Sequence, residues 1–228
     1  MAPQVSSLFL NPLEPVRGGP SEAMSASQRG RMLDAVTRAV AKKGYADVTV
    51  ADVVRIAGVS RRTFYERFTD KQDCFLEAYE AGTKALLGGM AAAVRDLGED
   101  PHWRDILEVA VGNYLGTLAE HPDFARTFLI DVLGAGPVAV ERRRGVYGQF
   151  VDQYRFLAAR TAEQEPELAE LPDVYLKALV GGISELVQGH ILERGAASLM
   201  ELAPVLIQLV VAVLQGAGGQ APPRGRPA

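Results

Sequence analysis

The chain has 228 residues, of which 48% are hydrophobic and 23% are charged, and its formal net charge is −4. A chain of this length and composition can bury a substantial core, and its charge excludes a protein that is basic throughout. The single cysteine, Cys74, excludes an internal disulfide and is typical of a reducing compartment.

Neither a signal peptide nor a membrane-spanning segment is visible in the sequence. The first basic residue is Arg17, and the apolar run at residues 8–10 is too short for a leader. The longest uninterrupted apolar run, residues 209–214, falls well short of the roughly 18 residues that indicate a membrane span. We therefore expect a soluble cytoplasmic protein with no membrane partner.

Helical periodicity runs through almost all of the chain between two segments of low complexity. Residues 1–24 are rich in Pro, Gly and Ser, and residues 216–228 are rich in Gly and Pro, so we expect a flexible arm and a disordered tail. No convincing period-two alternation indicates a strand. The predicted fold class is therefore all-α. About nine helices are expected, at 27–43, 50–57, 61–68, 70–97, 102–120, 123–133, 138–162, 173–194 and 199–215.

The second and third predicted helices are separated by a tight turn. Thr49 can cap the second helix, with Asp52 three residues later. Gly58 can take the positive φ angle that a sharp corner between two helices often requires. The third helix begins after Ser60, and the segment from Thr49 to Lys71 therefore predicts a helix-turn-helix.

The third helix concentrates hydrogen-bond donors and positive charge in its first turns. Phe64 and Phe68, four residues apart, are expected to face the core of this small domain, and Arg61 and Tyr65 to face solvent or DNA. Such a helix can lie against phosphates and reach base edges in the major groove. The candidate DNA-binding residues are Thr49, Ser60, Arg61, Arg62, Thr63, Tyr65 and Lys71.

Different roles are expected within this set. Ser60 caps the helix, and Arg61 and Arg62 read bases, because a guanidinium can hydrogen-bond guanine O6 and N7 together. An alternative stays open for Arg62, since it is also spaced for an ordinary surface salt bridge with Glu66. Phosphate contacts are expected from Thr49, Thr63, Tyr65 and Lys71.

Charge is divided in a way that suits this interpretation. Residues 25–75 carry ten Lys or Arg and six Asp or Glu, a net charge of +4, whereas residues 76–228 carry thirteen against twenty, a net charge of −7. A small basic module joined to a larger acidic one is typical of a protein in which only one part meets nucleic acid.

Residues from about Gln28 to Leu76 resemble the N-terminal head of the TetR family of one-component bacterial transcription regulators. Arg62 stands where many members carry glycine, and Arg67 where histidine is frequent. The resemblance implies a homodimer that binds a palindromic operator and releases it when a small molecule enters the body. It divides the chain into a DNA-binding domain at 25–75 and an effector-binding and dimerisation domain at 76–215. The matching residues are Ala39, Gly44, Thr49, Val50, Ile56, Ala57, Gly58, Val59, Ser60, Thr63, Tyr65, Phe68 and Lys71.

The last two predicted helices are candidates for the dimer face. The final helix is apolar on nearly every side and the helix before it carries a long apolar stripe, so both must be buried against something. Four such helices from two subunits would form the dimer face, although both could instead be core of a monomer. The interface residues expected are Leu179, Ile183, Leu186, Leu206, Leu209 and Val213.

The middle helices hold most of the remaining aromatic residues, and concave apolar sites are what small ligands use. An aromatic stripe at helical spacing is more often core packing, and this alternative stays open. The run Arg142-Arg143-Arg144 is expected to be solvated or paired surface, with anion binding as the second interpretation. Candidate pocket residues are Trp103, Tyr114, Phe128, Tyr147, Phe150, Tyr154 and Glu185.

The sequence therefore predicts a ligand-responsive, homodimeric repressor that binds double-stranded DNA and an unknown small-molecule effector. No catalytic set, cofactor motif or metal-ligand spacing is evident, so we expect no enzyme activity, no cofactor and no metal. One alternative is a DNA-bound adaptor whose body docks a protein without a small-molecule pocket. An all-α enzyme is the least supported alternative.

Overall fold

A computed structural model describes residues 20–166 and 171–216, with side chains from Ser27 onward. Within these residues the protein contains no strand, which confirms the all-α prediction. Two short 3-10 helices, Asp131–Ala135 and Ala196–Leu202, interrupt the α-helical pattern. The nine α-helices are α1 (Pro20–Lys43), α2 (Val50–Ala57), α3 (Arg61–Tyr65), α4 (Lys71–Arg95), α5 (Trp103–Glu120), α6 (Pro122–Leu129), α7 (Pro137–Gln164), α8 (Asp173–Arg194) and α9 (Ala203–Gly216).

Several boundaries differ from those expected. Helix α1 begins at Pro20, inside the segment expected to be an arm, because proline suits the first turn of a helix. Helix α3 ends at Tyr65 rather than Phe68. The stretches expected to begin the last helix and to end the sixth form 3-10 helices instead. The rest of the arm, residues 1–19, and residues 217–228 of the tail lie outside the described residues.

The first three helices and the start of α4 form a small domain, the head. Its core contains Phe64 and Phe68, both almost completely buried, together with Val36, Val40 and Val53. The two rings pack with their centroids 5.3 Å apart. The expectation that these phenylalanines face inward is therefore confirmed, and it fixes the opposite side of α3 toward solvent.

Local hydrogen bonds set the corner between α2 and α3. Thr49 and Asp52 form a reciprocal capping box at the start of α2, and Lys43 binds the Asp52 carboxylate at 2.7 Å. These hydrogen bonds hold the pKa of Asp52 well below its usual range. Gly58 has φ +63°, a conformation that glycine adopts without steric cost. This left-handed residue ends α2 and turns the chain toward α3.

The remaining helices form the body. Helix α4 packs against α1 in the head and against α5, α6 and α7 in the body. Helix α6 also packs against α1, and α7 and α8 pack against each other. The head and body share one continuous core, so a displacement of α4 or α6 must be felt in the head.

Cys74 is part of that continuous core. Its side chain is fully buried in α4, and Sγ lies 3.8 Å from the Met32 carbonyl oxygen. Burial raises the pKa of the Cys74 thiol, and the nearby Glu77 and Asp73 carboxylates add to the effect. The thiol is therefore protonated and inaccessible, so Cys74 acts as a small packed side chain of the core.

Residues 196–216 are the one helical stretch within the described part of the chain that is long and apolar enough to cross a membrane. Core helices of soluble proteins share this property. Only 22% of its apolar window is buried within the protomer, so much of this apolar surface has no cover from the single chain.

Candidate functional site

The first candidate site is the solvent-facing side of α3. Ser60 caps the helix as expected, because its Oγ accepts a hydrogen bond from the Thr63 amide at 3.0 Å. The Ser60 and Thr63 hydroxyl oxygens are also 2.9 Å apart. The cap thus orders the turn that leads into the helix, and it partly occupies both hydroxyl groups.

Arg61 and Tyr65 lie on the exposed side of α3. Tyr65 is 58% exposed although its ring meets Phe64 edge-on. Arg61 is exposed and makes no hydrogen bond or ion pair with the residues that the structure describes. Arg62 is also exposed, but its Nε donates to Glu66 Oε1 at 2.9 Å. Arg61 is therefore the freer of the two candidate base readers.

Two of the residues expected to contact phosphate are engaged in hydrogen bonds within the head. The Thr49 hydroxyl lies 2.9 Å from Asp52 Oδ2 in the capping box. The Lys71 ammonium donates to the carbonyl oxygens of Tyr45, Ala46 and Val48 at 2.9, 3.2 and 2.8 Å. It also lies over the Tyr45 ring, 4.5 Å from the centroid. Because all three ammonium hydrogens have acceptors, the geometry favours a structural role for Lys71.

The second candidate site is a cavity of about 410 Å³ in the body. This volume falls within the range of small-molecule pockets. No acidic residue is among the described residues that line it, and most of them are aliphatic or aromatic. The lining residues are Met90, Ala91, Val94 and Arg95 from α4; Ile106, Leu107, Ala110, Val111 and Tyr114 from α5; Phe128 and Leu129 from α6; Tyr147, Phe150, Gln153, Tyr154, Phe156 and Leu157 from α7; and Val180, Ile183, Ser184 and Leu206.

The cavity gathers five of the seven candidate pocket residues: Tyr114, Phe128, Tyr147, Phe150 and Tyr154. Trp103 does not line it. Its side chain is fully buried and its indole Nε1 donates to Glu165 Oε1 at 2.7 Å, which ties α5 to the end of α7. Glu185 is exposed on α8 and does not line the cavity either.

Sequence reasoning missed the contributions of α4 and α8. Met90 and Val94 line the cavity from the C-terminal half of α4, and Ser184 lines it from α8. An apolar helix face gives no sign of whether it meets another side chain or a void. Ser184 is the one polar side chain among the buried residues of α8, and this was the signal that the sequence offered for it.

The residues expected at a dimer face separate into two groups. Leu179, Ile183 and Leu206 are 3%, 7% and 1% exposed, so they fill the core of the protomer and have little surface left for a second copy. Leu186 is 41% exposed. The other two, Leu209 and Val213, are only partly buried against the core.

Comparison with known proteins identifies the head. Residues 32–78, which extend from α1 into α4, match the family described as bacterial regulatory proteins, tetR family. The head of this chain is therefore similar to the DNA-binding part of TetR-family regulators. A curated relative, an uncharacterized HTH-type transcriptional regulator YerO from Bacillus subtilis, is 27% identical over 97 residues. That match covers 42% of this chain and 33% of the relative.

Solved structures share the fold over most of the chain. The fatty acid degradation regulator FadR from Bacillus halodurans has a TM-score of 0.73 at 17% identity, covering 86% of this chain and 96% of that one. FadR from Bacillus subtilis, solved in complex with stearoyl-CoA, has a TM-score of 0.68 at 17% identity, covering 80% and 97%. At these sequence identities the similarity establishes the fold of the body alone. Its ligand must be inferred from the residues that line the cavity.

We expect the Lys71→Met variant to lower the free energy of unfolding by about 1–3 kcal/mol, because it removes charged hydrogen bonds to three carbonyls. Thermal or urea unfolding measures the effect. Lys42→Met is the matched control, since Lys42 is an exposed lysine of α1 without a partner among the described residues. Equal stability of the two variants would refute the structural role.

Arg61→Ala is expected to relax base preference at one position of each half-site, at a cost of about 1–3 kcal/mol against the preferred base. Arg62→Ala should change preference less, because its guanidinium is held by Glu66. Fluorescence anisotropy on a set of single-base operator variants at constant salt would separate the two arginines. Unchanged preference in Arg61→Ala would refute its role as a base reader.

Proposed function

We propose that this TetR-family regulator is a homodimeric, cytoplasmic repressor that leaves its palindromic operator when an apolar small molecule occupies the body cavity. The observation that supports the proposal is that α4 and α6 each contact both the cavity and the head. Both helices line the cavity, and both pack against α1 of the head. A ligand in the cavity therefore touches the same helices that hold the DNA-reading domain.

The attachment of α6 to the head is specific. Phe128 and Leu129 line the cavity, and the neighbouring Thr127 donates its hydroxyl to the Thr37 carbonyl oxygen of α1 at 3.2 Å. Thr127 and Thr37 are both buried, so the bond cannot be exchanged for one to water without cost. An effector that displaces Phe128 would thus shift α1 as well.

Helix α4 connects the head to the cavity along its own length. Its C-terminal half lines the cavity through Met90 and Val94, and five residues separate its N-terminus from α3, the candidate recognition helix. Near that N-terminus, Gln72 Nε2 donates to the Ala135 carbonyl oxygen of the body at 3.0 Å. An effector that favours a different position of α4 would change the separation of two symmetric recognition helices. Half-sites about 34–36 Å apart would then no longer be matched.

The exposed apolar residues of α8 and α9 support dimerisation. Leu186, Leu192 and Val205 are 41%, 63% and 50% exposed, and the apolar stretch that ends the described chain is largely uncovered. Exposed apolar surface of this kind marks an interaction site. A two-fold axis beside α8 and α9 would cover it and supply the two heads that a palindrome requires.

The cavity also favours an effector-responsive regulator over an adaptor that only docks a protein. Its lining is mostly apolar, and the similar FadR from Bacillus subtilis was solved with stearoyl-CoA. We infer that the effector of this regulator has a large apolar portion.

The test begins with genomic footprinting of the purified protein to define the operator. Anisotropy titrations then measure operator affinity with and without apolar compounds, and unfolding scans report which compounds bind. A compound that raises the melting temperature and weakens operator binding supports the proposal. Binding that leaves operator affinity unchanged would favour an adaptor, and failure to protect any genomic DNA would overturn DNA-binding regulation.

A further inference from the structure

Hydroxyl groups from three helices line the cavity. Tyr114 of α5, Tyr147 and Tyr154 of α7, and Ser184 of α8 all line it. The Tyr114 hydroxyl lies within electrostatic range of the Tyr147 and Tyr154 hydroxyls. These residues define the hydroxyl cluster, and the remainder of the cavity is mainly apolar.

The hydroxyl cluster has more donors than acceptors. The Tyr147 hydroxyl donates to Ser184 Oγ, which also accepts from Gln188 Nε2 at 2.8 Å, so the hydrogen of Ser184 has no acceptor among the described residues. The Tyr114 and Tyr154 hydroxyls likewise make no hydrogen bond with described residues. Burial raises the pKa of Tyr114 and of Tyr154, so both remain O–H donors at neutral pH. Tyr114 is only 8% exposed overall but lines the cavity, so an acceptor on a bound ligand can satisfy its hydroxyl.

The guanidinium group of Arg143 lies next to the hydroxyl cluster. Arg143 donates to the Tyr147 hydroxyl, and its Cζ lies 4.3 Å from the centroid of the Tyr147 ring. Its neighbours Arg142 and Arg144 are paired with Glu80 and Glu141 at the surface. Arg143 is partly buried and has no carboxylate partner among the described residues, and its Nε is buried without an acceptor.

Hydroxyl donors without acceptors, next to a cation without a carboxylate partner, favour a ligand that supplies acceptor oxygens and negative charge. A carboxylate supplies both, because its two oxygens accept about four hydrogen bonds. We propose that the effector is an apolar molecule ending in a free carboxylate. The carboxylate end enters the cavity first and accepts hydrogen bonds from Tyr114, Tyr154 and Ser184, next to Arg143. This inference rests on the effector-responsive function proposed above and adds the chemistry and orientation of the ligand.

With the carboxylate at the hydroxyl cluster, the proposal excludes an effector whose charged group stays outside that cluster. Arg95 is the one cation among the described residues that line the cavity, and it is exposed. A thioester or ester of the same acid would carry no negative charge into the hydroxyl cluster. Free acids should therefore bind more tightly than their neutral counterparts of equal chain length.

Calorimetric titration with octanoate, dodecanoate and hexadecanoate, each beside the alcohol and the methyl ester of equal length, tests the proposal. The acid of the best-binding length should bind at least tenfold more tightly than its alcohol, as expected for hydrogen bonds to a charged group. Tyr114→Phe and Tyr154→Phe should each weaken acid binding about tenfold and change alcohol binding less.

The arginine variants decide the position of the charge. Arg143→Met should remove the preference for the acid, Arg143→Lys should retain it, and the surface control Arg144→Met should leave it unchanged. Unfolding scans of the ligand-free variants show whether the fold is kept. A preference lost in Arg95→Met and kept in Arg143→Met would overturn the inward orientation.

The remaining outcomes separate this inference from the proposed function. Equal binding of acid and alcohol, with release of the operator by either, would overturn the carboxylate and leave the effector-responsive repressor intact. Binding of neither probe at any length would overturn the carboxylate inference and also count against an apolar effector.

Discussion

The Gly82→Ala variant is expected to unfold at a lower temperature than the natural protein, although alanine favours helices more than glycine does. Gly82 lies in α4 where the Phe124 ring of α6 rests against the helix. An added Cβ atom would lie 2.9 Å from both Cδ2 and Cζ of that ring and closer still to Cε2. Since the ring is buried, the two helices must separate. Overpacking of this kind costs about 1–3 kcal/mol.

Gly88→Ala is the matched control within the same helix. A Cβ atom at Gly88 meets nothing within 4 Å, so this variant should gain about 0.5–1 kcal/mol. The two variants should then differ by several degrees in melting temperature at equal protein concentration. Adding Phe124→Leu to Gly82→Ala should recover part of the loss. If Gly82→Ala is as stable as Gly88→Ala, the close contact between α4 and α6 is not as described.

If the proposed dimer forms through α8 and α9, replacing Leu186 and Leu192 together by glutamate is expected to convert it to a monomer and to weaken operator binding at least 100-fold. Both side chains are exposed on α8, and glutamates there would place like charges and unpaired polar groups in an apolar interface. The loss in affinity follows because a second head on the same particle raises avidity by about 10²–10⁴. Sedimentation velocity measures the first effect and anisotropy the second.

Leu133→Glu controls for added charge on an exposed leucine elsewhere in the protein. Leu133 lies in a 3-10 helix between α6 and α7 and is similarly exposed. We expect this variant to remain dimeric and to bind the operator normally. A glutamate double variant that still sediments as a dimer would place the two-fold axis away from this part of α8.

The head could be predicted in detail because local signals determine it. The Thr49 capping box, the positive φ angle of Gly58 and the inward phenylalanines of α3 all depend on residues within four positions of each other. The hydrogen bonds of Lys71 were not predicted, because its carbonyl partners lie more than twenty residues away. Spacing in the sequence does not indicate which distant backbone groups will meet an ammonium group.

The body was predicted less fully for the same physical reason. Aromatic spacing identified Tyr114, Tyr147 and Tyr154, yet it could not distinguish a filled core from a cavity, since both need apolar walls. The three consecutive arginines look equivalent in the sequence, but in the folded chain Arg142 and Arg144 pair with carboxylates whereas Arg143 contacts Tyr147. Likewise Leu179 and Leu186 belong to one apolar helix, and the packing of α8 decides which is buried.

The burial of Cys74 makes the protein convenient for spectroscopy. Its only sulfhydryl is closed to solvent and stays protonated, so maleimide dyes should leave the natural protein unmodified. A cysteine introduced at an exposed position of the head, such as Lys42→Cys, would be the sole attachment point for a dye. Energy transfer between the two copies of that dye would then follow the distance between the heads directly as candidate acids are added.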